Sequence, residues 1–225
     1  MSSTEFVEPF RRRPLDIAAE ILTGFKSCAH LRYRAANLAA APLPDFMAGY
    51  ALSRLYRAAG FRGIHRGAFI AARLHITGAS GNIYDNLSID DGVTISTNVT
   101  LNLDAHLTIG ARVTVSPFVR IYTATHRHGP SGQRCLPEVR PRPVVIEEGC
   151  WIGLGALITP GVVIGRGTVV SAGAVVTRSV PADSFVSGNP GRVVGTLADN
   201  ADWMGPRPIR DPRNARSKPT DAGAR

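Results

Sequence analysis

The chain has 225 residues, with 26 Lys or Arg against 17 Asp or Glu, so its formal net charge at neutral pH is +9. This length accommodates one sizeable core, or one core with a small appended segment. The basic excess is explained either by ordinary solvated charge or by binding to a polyanionic ligand or an acidic membrane surface. Nucleic acid is a less favoured partner, because no aromatic residues alternate with the basic ones. Three cysteines without CxxC spacing predict neither a disulfide framework nor a zinc knuckle, which favours reduced thiols in the cytoplasm.

The first 60 residues are rich in Ala and Leu and predict helices. The segment DFMAGYALSRLYRAAG starts at Asp45, a residue type that favours the helix N-cap, and ends at Gly60. The stretch MSSTEFVEPFRRRPLD carries no apolar run behind its charges, unlike a secretory signal. We expect residues 1–60 to form a helical cap over the open end of the structure that follows. Acceptor binding and contact with a membrane surface are alternative roles for these helices.

From Ile64 onward, aliphatic residues recur at every sixth position. The longest unbroken run comprises Ile146, Ile152, Ile158, Ile164, Val170 and Val176. A period of six fits neither an α-helix nor the variable strands of a β-sandwich. We therefore predict a triangular prism in which each hexad forms a short parallel strand and a corner. Three hexads would complete one coil, and stacked coils would align their aliphatic residues in the core.

The period stops after the sequence YTATH and resumes only at Ile146. The intervening RHGPSGQRCLPEVRPRP is rich in Gly and Pro and cannot continue the strands, so residues 127–143 are predicted to protrude as a loop. A long loop at one place in a regular solenoid is usually functional. After Leu197 the chain contains many Pro, Arg and Asp residues, and residues 198–225 are predicted to be a disordered tail.

The repeat itself, the phrase IYTATH, the segment CWIGLGALITPGVVIGRGTVVSAGAVVTRSVP and the closing SGNPGRVV resemble the left-handed β-helix acyltransferases. Among these, the sequence is most similar to the maltose/galactoside O-acetyltransferase group, which includes nodulation acetyltransferases. The resemblance covers roughly residues 64–197. It implies an all-β solenoid, a left-handed parallel β-helix over residues 61–197, and a homotrimer with active sites between neighbouring subunits.

The resemblance also implies acetyl-CoA-dependent transfer to a hydroxyl of a sugar or saccharide-containing acceptor, without an acyl-enzyme. His126 matches the catalytic base, a role that suits an imidazole with a pKa of about 6.5. Glu138 lies where some relatives place a carboxylate that orients this base, although solvated loop charge is an equal alternative. Asp104 matches a residue that contacts acceptor hydroxyls, although a corner Asp favoured by turn geometry is an equal alternative. Ser96 stands where such relatives carry Asn, with Asn98 two residues on, so the acceptor's identity stays open.

Acetyl-CoA is implied to lie along the C-terminal coils. The residues that match cofactor-binding positions are Trp151, Ala172, Gly173, Thr177, Arg178 and Arg192. The small pair Ala172 and Gly173 would admit the pantetheine arm, and the two arginines would face its phosphates. No metal is predicted.

Other functions occur on the same fold. Serine or nucleotide-sugar acyl transfer is the main alternative. A γ-type carbonic anhydrase would need His106, His126 and His128 as zinc ligands, and a non-catalytic scaffold is also compatible with the repeat.

Overall fold

The computed structural model describes residues 30–46, 49–78 and 82–197. About half of the predicted cap, residues 1–29, and the predicted tail, residues 198–225, therefore lie outside the described residues. Within the described part, the chain begins with two helices, α1 (Leu31–Ala40) and α2 (Gly49–Ala58). The sequence prediction of a helix within residues 45–60 corresponds to α2.

The hexapeptide region forms three sheets of short strands. Sheet A contains β3 (Leu87–Ile89), β6 (Leu107–Ile109), β11 (Val144–Ile146) and β14 (Val163–Ile164). Sheet B contains β1 (Phe69–Ile70), β4 (Thr94–Ile95), β7 (Thr114–Val115), β12 (Trp151–Ile152), β15 (Val169–Val170), β17 (Ser184–Ser187) and β18 (Arg192–Thr196). Sheet C contains β2 (His75–Thr77), β5 (Thr100–Asn102), β8 (Arg120–Ile121), β13 (Leu157–Ile158) and β16 (Val175–Val176).

Successive strands enter sheets B, C and A in turn, and each strand pairs in parallel with the corresponding strand of the next coil. In sheet A, for example, Ile109 is in register with Ile89 on one side and with Ile146 on the other. These aliphatic residues are buried, as the six-residue period predicts. The pairing fits the left-handed β-helix that the resemblance implies. At the C-terminal end, β17 and β18 pair in an antiparallel manner.

The turn from sheet B to sheet C holds a left-handed residue three positions after the strand in four successive coils. These residues are Asn98, Phe118, Gly155 and Gly173, with φ of 56°, 61°, 67° and 69°. Glycine adopts this conformation without steric cost and Asn tolerates it, whereas a bulky residue such as Phe rarely does. Phe118 therefore has the regular backbone of this corner but is a bulky residue where the other three described coils carry Gly or Asn.

The two helices pack on the first coil. Leu52 and Tyr56 of α2 are buried, and the hydroxyl of Ser53 donates a hydrogen bond to the Ala68 carbonyl at 2.6 Å. The hydroxyl of Tyr33 in α1 donates to the Leu74 carbonyl and accepts from the Ile76 amide. Neither described helix has the length and apolar character needed to cross a bilayer.

The segment predicted to protrude as a loop, residues 127–143, leaves the three sheets within an antiparallel hairpin. Its strands are β9 (Ala124–His128) and β10 (Cys135–Pro141), joined by a turn in which the Gly129 amide donates to the Arg134 carbonyl. β10 accommodates Pro137 at a bulge between Cys135 and Val139, whereas Pro141 is in register with Ala124 at the end of the strand. The hairpin is largely exposed.

Candidate active site

Thr123 anchors the hairpin to the coils. This residue is fully buried between β8 and β9, and its hydroxyl donates to the Asn102 carbonyl at 2.8 Å and accepts from the Ala105 amide at 2.9 Å. The Arg142 amide donates to the Thr123 carbonyl on the returning chain. Both ends of the hairpin are thus held at one point of the prism, which positions the side chains of β9.

His126 lies on β9 with its imidazole at the exposed surface. Its Nδ1 atom is 3.0 Å from the Leu136 carbonyl oxygen on the facing strand. Because a carbonyl can only accept a hydrogen bond, Nδ1 must carry the proton, which leaves the lone pair of the neutral ring on Nε2. Nε2 forms no hydrogen bond with a described residue. The backbone therefore selects the tautomer that a general base needs.

Glu138 lies next to Arg127 and not next to His126. The Glu138 carboxylate is 3.2 Å from the Arg127 guanidinium, and the side chains are 54% and 53% exposed. His126 is instead in register with Val139. Since side chains alternate between the two faces of a strand, Arg127 and His126 point to opposite faces of the hairpin. The structure gives the position beside His126 Nδ1 to the Leu136 carbonyl.

Asp104 lies just after β5, where its carboxylate accepts a hydrogen bond from the side-chain Nδ2 of Asn102 at 2.8 Å. It lines a cavity of about 430 Å³ together with His30, Tyr33 and Arg34 at the start of α1. Burial, assisted by the Arg34 charge, lowers the pKa of His30. The structure thus brings α1 to the predicted acceptor carboxylate, an approach that the sequence did not reveal.

Ser96 and Asn98 lie at the opposite end of β5, in the turn from sheet B to sheet C. The Ser96 amide donates to the Val115 carbonyl, and the side chain is half-buried. Asn98 is exposed and lines two adjoining cavities, of about 310 and 390 Å³, which also include Arg73 and His75. The cavity that holds Asp104 is bordered by neither Ser96 nor Asn98.

The six predicted cofactor-binding residues occupy exposed positions C-terminal to the hairpin. Trp151 in β12 is 52% exposed, and its indole Nε1–H donates to the Ser116 hydroxyl at 3.0 Å. Apart from its chain neighbours, no described residue has an atom within 4 Å of the side-chain position of Gly173, so little in the described structure crowds this corner. Thr177 and Arg178 follow β16. Arg192 begins β18 and donates to the Gly191 carbonyl.

Sequence reasoning missed Ser116, which orients the Trp151 indole. Ser116 follows β7 at the position that Ser96 holds after β4, so the repeat itself carried the signal. It also missed the role of the Leu136 carbonyl, for which no side-chain pattern exists.

The three histidines that a zinc site would need are not gathered within the chain. His106 Nε2 lies 3.0 Å from the Ser88 hydroxyl on sheet A, whereas His126 and His128 lie on the hairpin. Among the described residues, no group of three or more His, Cys, Asp or Glu side chains has an arrangement that could hold a metal ion.

Comparisons with known proteins are consistent with this architecture. Residues 143–178 match the family described as the hexapeptide repeat of succinyl-transferase. Nodulation protein L of Rhizobium meliloti (strain 1021) is 56% identical over 79 residues, which cover 35% of this chain and 43% of that protein. The chain thus matches less than half the length of this curated relative.

Solved structures match over a longer span. The hexapeptide-repeat containing acetyltransferase of Vibrio cholerae is 30% identical, with a TM-score of 0.64, over 77% of this chain and 93% of its own. The structure of a Vibrio cholerae O1 biovar eltor hexapeptide-repeat acetyltransferase in complex with acetyl coenzyme A is 29% identical, with a TM-score of 0.61, over 77% of this chain and 89% of its own. By this likeness over nearly the whole relative, the chain belongs to the hexapeptide-repeat acetyltransferase family.

Proposed function

We propose that this protein is an acetyl-CoA-dependent O-acetyltransferase that acts on a hydroxyl of a sugar or saccharide-containing acceptor. The observation that carries the proposal is the His126 imidazole, whose proton is held on Nδ1 by the Leu136 carbonyl and whose Nε2 is free to act as a base. Family membership supports the transfer of an acetyl group, and the acetyl coenzyme A bound to the Vibrio cholerae relative supports the donor.

In the proposed reaction, His126 Nε2 removes the proton of the acceptor hydroxyl as the oxygen attacks the thioester carbonyl carbon. The C–S bond of the thioester then breaks, and the departing sulfur of CoA takes the proton from the imidazolium. Since the thioester is already activated, no acyl-enzyme is required. While the ring is positively charged, the hydrogen bond from Nδ1 to the Leu136 carbonyl stabilises it.

The remaining predicted site residues have supporting roles in this proposal. Asp104 would hold the acceptor, because a carboxylate accepts hydrogen bonds from two hydroxyls at once. Ser96 and Asn98 lie at the other end of β5 and would contact the same acceptor from a neighbouring subunit. Arg178 and Arg192 would face the phosphates of CoA. Trp151, Ala172, Gly173 and Thr177 would border the pantetheine arm.

The quaternary arrangement is part of the proposal. We infer a left-handed β-helix that assembles as a cytoplasmic homotrimer, with the N-terminal helices as a cap on each subunit. The exposed hairpin supports this inference, since it extends the catalytic His126 away from its own coils. Sedimentation equilibrium would measure the assembly, and a monomeric mass at micromolar concentration would contradict the shared cleft.

The first experiment is calorimetric titration with acetyl-CoA and with free CoA, followed by a thiol-release assay over a panel of sugars. Saturable binding near one site per subunit is expected. The His126→Ala variant should bind acetyl-CoA normally but turn over about 10²- to 10⁴-fold more slowly, because it lacks only the base. A folded variant with full activity would exclude His126 as the base, and a folded protein that binds neither ligand would exclude the donor.

A further inference from the structure

A cationic groove runs over the outer face of sheet C. His75, Thr100 and Arg120 are in register on the neighbouring strands β2, β5 and β8, so they lie side by side across the sheet. Arg73 approaches from the turn that precedes β2. Together they border the cavity of about 390 Å³ that Asn98 also lines, and we call this surface the arginine groove. Its lining residues are Arg73, His75, Asn98, Thr100, Phe118 and Arg120.

The groove holds two arginines, Arg73 and Arg120, that have no carboxylate partner among the described residues. Neither guanidinium forms an ion pair or a side-chain hydrogen bond with a described residue. By contrast, three other arginines are paired with carboxylates: Arg112 with Glu148, Arg127 with Glu138, and Arg166 with Asp183. Asp45 lines the adjoining cavity but lies beyond ion-pair distance of Arg73. Within the described part of the chain, the groove therefore presents two positive charges that form no ion pair.

Backbone strain lies at the same place. Phe118 holds a left-handed φ of 61° and is 52% exposed, so burial of its ring does not explain the cost of this conformation. The equivalent corners of the next two coils carry Gly155 and Gly173. Strained residues that persist without a structural benefit are typical of ligand sites. The exposed ring beside Arg120 offers an apolar face on which a sugar ring can pack.

We propose that the arginine groove binds the anionic group of an acidic saccharide acceptor, with Arg73 and Arg120 holding its carboxylate or phosphate. The guanidinium fork matches both groups, and the volume suits a monosaccharide with one charged substituent. Asn98, which already lines the groove, would contact the sugar hydroxyls. This inference rests on the acetyl transfer proposed above and specifies the acceptor class as an acidic sugar.

Binding without acetyl-CoA tests the groove separately from catalysis. Calorimetric titrations would use glucose 6-phosphate and galacturonate against glucose and galactose, which separates a phosphate preference from a carboxylate preference. At least one acidic sugar should bind tenfold or more tightly than its neutral parent. Arg73→Gln and Arg120→Gln should each weaken that binding by about 10- to 100-fold, as expected for charge-assisted hydrogen bonds. Arg66→Gln is the matched control, since Arg66 is exposed and does not line the groove.

The outcomes are distinct. Equal affinity for acidic and neutral sugars, or full affinity in both groove variants, would overturn the proposal whether or not acetyl transfer occurs. If the groove variants lose acetyl-CoA binding instead, the groove serves the donor phosphates. If the groove variants sediment as dissociated subunits, the arginine groove serves a subunit interface. Either of these last results also overturns the proposal. Phe118→Asn provides a further check, because it should raise the melting temperature while weakening binding of the acidic sugar.

Discussion

Replacing Glu138 by Gln separates two accounts of how His126 is oriented. In one account, suggested by the family resemblance, the Glu138 carboxylate holds the imidazole. In the structure, the Leu136 carbonyl accepts a hydrogen bond from His126 Nδ1, and Glu138 forms an ion pair with Arg127 on the other face of the hairpin. The substitution keeps the shape of the side chain and removes its charge, so it tests the first account without disturbing the second.

The size of the expected effect follows from exposure. Both members of the Arg127–Glu138 pair are about half exposed, and solvent-exposed ion pairs contribute only about 0–1 kcal/mol to stability. No side-chain substitution removes the Leu136 carbonyl. We therefore expect Glu138→Gln to change turnover by less than about threefold, against the 10²- to 10⁴-fold loss expected for His126→Ala.

The assay is release of the CoA thiol at saturating acetyl-CoA, recorded across pH, with Arg127→Gln as the matched control for loss of the ion pair. The two hairpin variants should behave alike, with the pH profile of the parent protein. A tenfold or larger loss in Glu138→Gln, with a shifted pH profile and an unaffected Arg127→Gln, would show that the carboxylate orients His126. That result would refute the assignment of the Leu136 carbonyl as the group that orients His126.

Two further predictions concern the fold. Gly153→Ala places a Cβ 2.6 Å from the Val170 carbonyl oxygen of the next coil, and such overpacking should cost about 1–3 kcal/mol in urea unfolding. Gly132→Ala, where no atom lies within 4 Å, is the control, and an equal loss there would contradict the steric explanation. Burial raises the pKa of the Cys150 thiol from 9.0 to about 11, so the unfolded chain loses this proton first and stability should fall between about pH 9 and 11. In Cys150→Ala that part of the decline should disappear, and an unchanged decline would assign it to other groups.

The repeat was readable from the sequence because burial in this fold is a local property. Each coil buries the same phase of the six-residue period, so Ile109, Ile146 and Ile164 identify their own inward positions without knowledge of any partner. The interruption after His126 was readable for the same reason. That the interrupting segment pairs as a hairpin was not, because its register depends on a bulge that no short motif specifies.

The candidate site divides in the same way. The sequence by itself determined the strands, the core and the position of His126, since all three follow from the period and from the point where it breaks. Only the tertiary structure decided which atom faces the His126 Nδ1, because strand alternation turns Glu138 away and leaves a backbone carbonyl. The arginine groove could likewise be recognised only in the tertiary structure. Arg73 and Arg120 are distant in the chain and line one cavity only because the coils stack in register. Side-chain identity is local information, whereas the approach of two groups depends on how separate coils align.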